Sequence, residues 1–102
     1  MLDPSVRRLE VFKAVVDLQG VNAAADSLGI AQPSVSAHIK ALERQVGGPL
    51  LLRQSGRRHL KCTAAGHELY AYACKVIEET RSAETRLRGM RSADNAASGK
   101  YR

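Results

Sequence analysis

Residues 22–44 read NAAADSLGIAQPSVSAHIKALER, and this stretch decides the fold. Two short helical patterns flank Gly29, a residue type that enters the left-handed conformation at a helix end without steric penalty. Asn22 is placed to cap the first pattern, its side chain accepting from a free amide. Ala23, Ala24 and Ala25 let a neighbouring helix approach closely, Leu28 supplies an apolar contact and Ile30 plugs the turn. In the second pattern Val35, Ile39, Leu42 and Val46 recur at intervals of four, three and four, which makes one buried stripe. Gln32, Ser34, Ser36, His38 and Lys40 fall largely on other faces. A helix polar at its N-terminal end and anchored by an aliphatic stripe suits insertion into the major groove, so the spacing predicts a helix-turn-helix. Taken alone, the stretch also fits an ordinary helical hairpin with Gly29 as its C-cap.

The segment that follows adds a second device. Gly47, Gly48 and Pro49 cannot continue the helix. Residues 50–53 and 59–62 are strand-like runs flanking residues 54–58, a hairpin with Gly56 near its tip. A two-stranded ribbon carrying Arg53, Arg57 and Arg58 beside a recognition helix is a wing, able to reach phosphates or a narrow minor groove; taken alone, the segment fits a solvated arginine-bearing turn better. The charge is concentrated in the same place. The chain of 102 residues has a formal net charge of +6. Residues 32–61 hold Lys40, Arg44, Arg53, Arg57, Arg58 and Lys61 against Glu43, a net of +5. Such a concentration is the footprint of a phosphate-binding face, because neutralising phosphates releases counterions.

On the N-terminal side, Asp3 is expected to cap the first helix with Pro4 at its first position. Val6, Leu9, Phe12 and Val16 form its inward stripe, with Val15 beside it. Aromatic content is only 4%, so the core is aliphatic and small. A body of about 60 residues folds only marginally by itself and gains from a partner. On the C-terminal side, Thr63 can cap a helix running to about Met90, roughly 40 Å long. Leu69, Ala73, Val76, Thr80, Ala83, Leu87 and Met90 are spaced 4-3-4-3-4-3, a heptad seam that predicts pairing with a second copy. Alanine and threonine in the seam bury little area, so the pairing is expected to be weak. The alternative is a helix lying on its own domain, against which its length argues. The polar tail SADNAASGKYR, residues 92–102, reads as a disordered linker end.

Other chemistry is poorly supplied. Cys62 and Cys74 are 12 residues apart with no second pair or histidine at ligand spacing, so no metal is expected. They read as reduced thiols of a cytoplasmic protein, Cys62 standing in for a strand leucine. His38, His59 and His67 share no carboxylate constellation, and Tyr70 and Tyr72 read as surface or packing residues. With no phosphate loop and no nucleophile beside a base, neither an enzyme nor a cofactor is expected. There is no apolar run near 20 residues and no signal-peptide pattern, so no membrane partner is expected.

Taken together, these residues resemble the N-terminal DNA-binding domain of LysR-type bacterial transcriptional regulators over roughly residues 5 to 90. The resemblance is carried by Leu9 and Phe12, Ala24-Ala25 and Leu28, and Gln32-Pro33-Ser34-Val35-Ser36. Ile39, Leu42-Glu43, Gly47, Pro49-Leu50, Arg53, Gly56-Arg57-Arg58 and Thr63-Ala64-Ala65-Gly66 complete it. It implies a mainly α winged helix-turn-helix, three helices plus a two-stranded wing, over residues 1–62. A linker helix at 63–91 and a flexible tail at 92–102 would follow. It further implies that Gln32, Pro33, Ser34 and Ser36 lie at base edges or adjacent phosphates while Arg53, Arg57 and Arg58 serve the wing. The glutamine amide suits the N6 and N7 of adenine, and the proline ring could meet a thymine methyl. With Asn22, His38 and Lys40 added, these residues are the candidate DNA-binding set. In the resembling family the linker helix pairs antiparallel with its twin and sets the spacing of two half-sites. Leu69, Ala73, Val76, Thr80, Ala83 and Leu87 are therefore the candidate dimer contacts, with a tetramer open for an intact regulator.

Departures from the pattern are informative. Many members carry arginine directly after the second serine; here Ala37 stands there, followed by His38, so base preference does not transfer. Ala31 stands where a capping Ser or Thr is common, and Leu51 where a phenylalanine is frequent. The family's effector-sensing domain has no room in 102 residues, so the chain is expected to be a piece cut after the linker helix or a naturally short form. The rival reading is a winged helix that binds DNA non-specifically, as an architectural or nucleoid protein. A winged domain that docks protein instead is opposed by the +5 segment.

Overall fold

The computed structural model describes residues 5–53 and 60–97. Along the chain it places α1 (Val6–Leu18), α2 (Val21–Leu28), α3 (Gln32–Val46), β1 (Leu51–Arg53), β2 (Leu60–Cys62) and α4 (Ala64–Ala97). The two strands form an antiparallel sheet in which Leu51 faces Cys62, Leu52 faces Lys61 and Arg53 faces Leu60. This is the expected winged helix-turn-helix with a long helix after it. The expected wing tip, with Arg57 and Arg58, lies outside the described residues, as does the expected start at Asp3-Pro4.

Two helix starts differ from expectation. Ser5 caps α1, its hydroxyl accepting from the Arg8 amide at 3.1 Å. Gly20 occupies the cap position of α2, so Asn22 is already inside that helix and caps nothing. The turn between α2 and α3 does follow the reading. Gly29 sits at φ 69°, where a side chain would be strained, and the Ile30 amide reaches back to the Ala25 carbonyl at 3.1 Å.

α1 is the centre of the body, packed against α2, α3 and α4 at once. Its buried face is therefore wider than one stripe: Leu9, Val11, Phe12 and Val15 are buried, whereas Val6 and Val16 are only half-buried. Val35, Ile39 and Leu42 bury the inner side of α3, but Val46 lies at the rim and is exposed. Leu50 is buried just before β1.

α4 begins as expected. The Thr63 hydroxyl accepts from the Gly66 amide at 3.0 Å and donates to the Pro49 carbonyl at 2.8 Å, joining the helix start to the chain entering the wing. Gly66 is required by contact, because a Cβ there would stand 2.1 Å from the Leu50 carbonyl oxygen. From this point Leu69, Ala73 and Ile77 are buried against α1 and the rest of the core, with Val76 and Tyr70 partly buried beside them. Leu69 and Ala73 thus serve their own domain and are not free for a second copy. Thr80 and Ala83 are half-buried, and Leu87 and Met90 are exposed. The helix also runs to Ala97, past the expected end near Met90 and into the expected tail. Residues 92–97 contain no glycine or proline to stop it; the next glycine is Gly99.

Candidate nucleic-acid interface

The outward face of α3 follows from its inward one. At about 100° per residue, a stripe through Val35, Ile39 and Leu42 leaves Pro33, Ala37, Lys40 and Arg44 on the opposite side. All four are exposed, as are Gln32 and Ser34 in the first turn. Ala31 precedes the helix without a side-chain cap, and Pro33 in the first turn has no amide hydrogen to satisfy. No side chain among the described residues caps the N-terminal end of α3, and its partial positive charge favours anions.

Two flanks complete the face. On the wing side Ser36 is half-buried and borders a shallow groove together with Val21, Lys40, Leu60 and Arg53. Arg53 is exposed at the end of β1, opposite Leu60. The other flank faces α1, and there His38 is half-buried. Its Nδ1 accepts a hydrogen bond from Arg8 Nε at 3.3 Å. Asn22, displaced from the cap position, stands exposed near the start of α2.

Charge is sorted by face. Among the described residues, the ion pairs are Arg7–Glu10, Lys13–Asp17 and Arg81–Glu10, on α1 and between α1 and α4. None of these pairs involves Lys40, Arg44 or Arg53. The acid of the basic segment, Glu43, is spent on the fold: its Oε2 accepts from the Leu50 amide at 2.9 Å. The cations of α3 and β1 are thus left facing solvent.

The wing is tied to the helical body by a residue that composition did not single out. Gln19 adopts φ 58°, the left-handed region that a glutamine rarely enters. Its Nε2 donates to the Val16 carbonyl at 3.1 Å, and its Oε1 accepts from the Leu60 amide at 3.1 Å. Gln19 therefore holds β2, and through the strand pair also the end of β1 that carries Arg53.

The structure brings Gln32, Pro33, Ser34, Ser36, His38, Lys40 and Arg53 to one side of the molecule. Three further residues belong with them. Arg44 was legible, because 37, 40 and 44 share a helical face. Arg8 and Gln19 carried no local signal, their partners lying 30 and 41 residues away in sequence.

A family model described as bacterial regulatory helix-turn-helix protein, lysR family, matches residues 6–67. The HTH-type transcriptional regulator BenM of Acinetobacter baylyi is 46% identical over 72 residues, covering 71% of this chain and 23% of BenM. BudR of Raoultella terrigena, also an HTH-type transcriptional regulator, is 36% identical over 85 residues, covering 83% of this chain and 29% of BudR. Among solved structures, the BenM DNA-binding domain in complex with catB site 1 DNA superposes with a TM-score of 0.78 at 38% identity. That superposition covers 86% of this chain and 96% of the other. The chain thus spans less than a third of the length of these curated relatives. Four helices and a two-stranded wing in this order, with a matching sequence over most of the body, place the chain in the LysR family of bacterial helix-turn-helix regulators.

Proposed function

We propose that the chain is the sequence-specific DNA-binding part of a bacterial transcriptional regulator acting in the cytoplasm. The observation that carries this reading is the sorted face: α3 presents polar residues outward with Lys40 and Arg44, which enter no ion pair among the described residues, while Glu43 is turned to the Leu50 amide. In this reading α3 enters the major groove, with Gln32, Ser34, Ser36 and His38 at base edges. Lys40, Arg44 and Arg53 meet phosphates, joined by Arg57 and Arg58 from the wing at phosphates or the minor groove. The second half of α4 supports a dimer, since Thr80, Ala83, Leu87 and Met90 continue a heptad spacing past the body. Two copies would then read two half-sites. A small-molecule effector, where one acts, would bind elsewhere in a full-length regulator.

The test is selection of bound fragments from random duplex at two salt concentrations. A specific regulator retains enriched, dyad-symmetric sites at the higher salt, whereas an architectural binder loses all sequences together. Gln32→Ala should change which sequences are enriched. Arg53→Ala should weaken all sequences alike and lower the salt slope by about one. Uniform weakening by Gln32→Ala would remove that residue from the base-reading set.

A further inference from the structure

We propose that Arg8, from α1, is a specificity-determining positioning residue that fixes the hydrogen pattern of His38 on the recognition helix. This rests on the DNA-binding reading above and deepens it. A neutral imidazole carries one hydrogen, on either nitrogen, and its partner decides which. Arg8 Nε is a donor only, so the bond it makes to His38 Nδ1 at 3.3 Å requires a lone pair there. The hydrogen of the neutral ring is then on Nε2, the nitrogen farther from the backbone. His38 becomes a fixed donor. In the major groove a donor is matched by guanine O6 and N7, adenine N7 or thymine O4, and cytosine N4 is refused.

The placement favours this role. His38 lies on the flank of α3 one turn beyond Ser34, and both are half-buried or exposed on the side next to α1. At the neighbouring outward position Ala37 offers no polar atom, so the central turn of the helix depends on its flanks for readout. Arg8 is anchored in turn, since its own amide is held by the Ser5 hydroxyl at the start of α1. Its guanidinium makes no ion pair among the described residues, so no carboxylate competes for the Nε hydrogen.

Two measurements on the full chain test the proposal. Nitrogen-15 spectra of the imidazoles, at a pH where His38 is neutral, report which nitrogen holds the hydrogen. The wild type should show Nε2 protonated and Nδ1 as acceptor; Arg8→Met, which keeps the aliphatic stem, should show a mixture. In parallel, the enriched wild-type duplex is compared with variants changed at single base pairs. Arg8→Met and His38→Ala should relax discrimination at the same base pair by roughly five- to tenfold. Adding Arg8→Met to His38→Ala should change nothing further, because the effect passes through the ring. A ring protonated on Nδ1 in the wild type overturns the proposal. So does an Arg8→Met effect that is equal on all duplexes, or that persists without His38, for Arg8 would then be a plain phosphate cation. If the wild type enriches no sequence, the proposed function fails, and the imidazole spectra still decide whether Arg8 sets the tautomer.

Discussion

The two halves of α4 have the same heptad spacing in sequence and opposite surroundings in the fold. In the first half Gly66, Leu69, Ala73 and Ile77 are buried in the body, the last three against α1 and the core. In the second, Leu87 is 63% exposed and Met90 59%. A 3.5-residue repeat and a 3.6-residue helix diverge by only about 20° over one heptad, so a short stretch fits either. The body settles the first half by adding Ile77, which the heptad omits. The second half has no body to lie on. The same pattern thus closes the body at one end and leaves Leu87 and Met90 exposed at the other.

The comparison predicts a steep gradient of mutational cost along one helix. Gly66→Ala should have the largest effect. Its Cβ would meet the Leu50 carbonyl oxygen at 2.1 Å and Cys62 Cβ at 3.2 Å, and backbone cannot step aside as a side chain can. Overpacking of that kind costs roughly 3 kcal/mol, a large share of the stability of so small a domain. Thermal denaturation should show a strongly lowered midpoint; an unchanged midpoint would mean that α4 can lift off β1 freely. Leu69→Ala comes next. At 4% exposure it should cost about 2 kcal/mol by chemical denaturation, the lower end for a leucine truncation, through lost burial and the cavity left behind.

What the sequence disclosed follows the range of the interactions. The turn at Gly29, the stripe of α3, the strand pair and the Thr63 cap were legible because each depends on residues no more than 11 positions apart. The starts of α1 and α2 differ from expectation because several residues there can cap. Ser5 competes with Asp3, and Gly20 takes the place expected of Asn22; the neighbouring elements decide between them. Gln19 is the clearest case of a structure set at long range. Its left-handed backbone closes the end of α1, where the Gln19 and Gly20 amides reach back to Val16 and Val15, but its side-chain bond to the Leu60 amide spans 41 residues and has no local signal. Of the candidate interface, the outward residues of α3 could be read from periodicity. The Arg8–His38 bond could not, since it arises from how α1 crosses α3.

A smaller effect belongs to the polar fastening of α4 to α1. Tyr70 donates its hydroxyl hydrogen to Asp17 Oδ1, and Lys13 Nζ stands 2.6 Å from Asp17 Oδ2. Burial works against the charged carboxylate, but the bonds from Lys13 and Tyr70 outweigh it and hold Asp17 below its ordinary 3.8. The same bond to Asp17 raises the Tyr70 hydroxyl above its ordinary 10.0. A carboxyl whose folded value is depressed stabilises the fold above its unfolded value, and that contribution fades as pH falls through the folded one. Asp17→Asn should therefore lower the melting temperature modestly at pH 7 and hardly at all near pH 2. Lys13 and Asp17 are partly open to solvent, with side chains 35% and 37% exposed, so added salt should shrink the difference at pH 7. A difference that persists undiminished into acid would mean that the asparagine disturbs packing and that the ionic fastening is not what is lost.

The smallest effect on the monomer should come from Leu87→Glu, on the same heptad spacing as Leu69 but beyond the body. The side chain is already mostly in water, so unfolding free energy should change by no more than about 0.5 kcal/mol. Self-association is another matter. If Leu87 faces a second copy, the substitution places a carboxylate, and its symmetry mate, in the seam, and desolvating them opposes pairing. Sedimentation should then show fewer dimers at the same concentration, and binding to a two-half-site duplex should lose cooperativity while binding to a single half-site is kept. Should Leu87→Glu instead destabilise the monomer as Leu69→Ala does, the second half of α4 has a home in its own chain, and the contrast between the two halves disappears. An unaltered dimer together with an unaltered monomer would move the pairing surface to another face of α4, leaving the contrast intact but the seam misassigned.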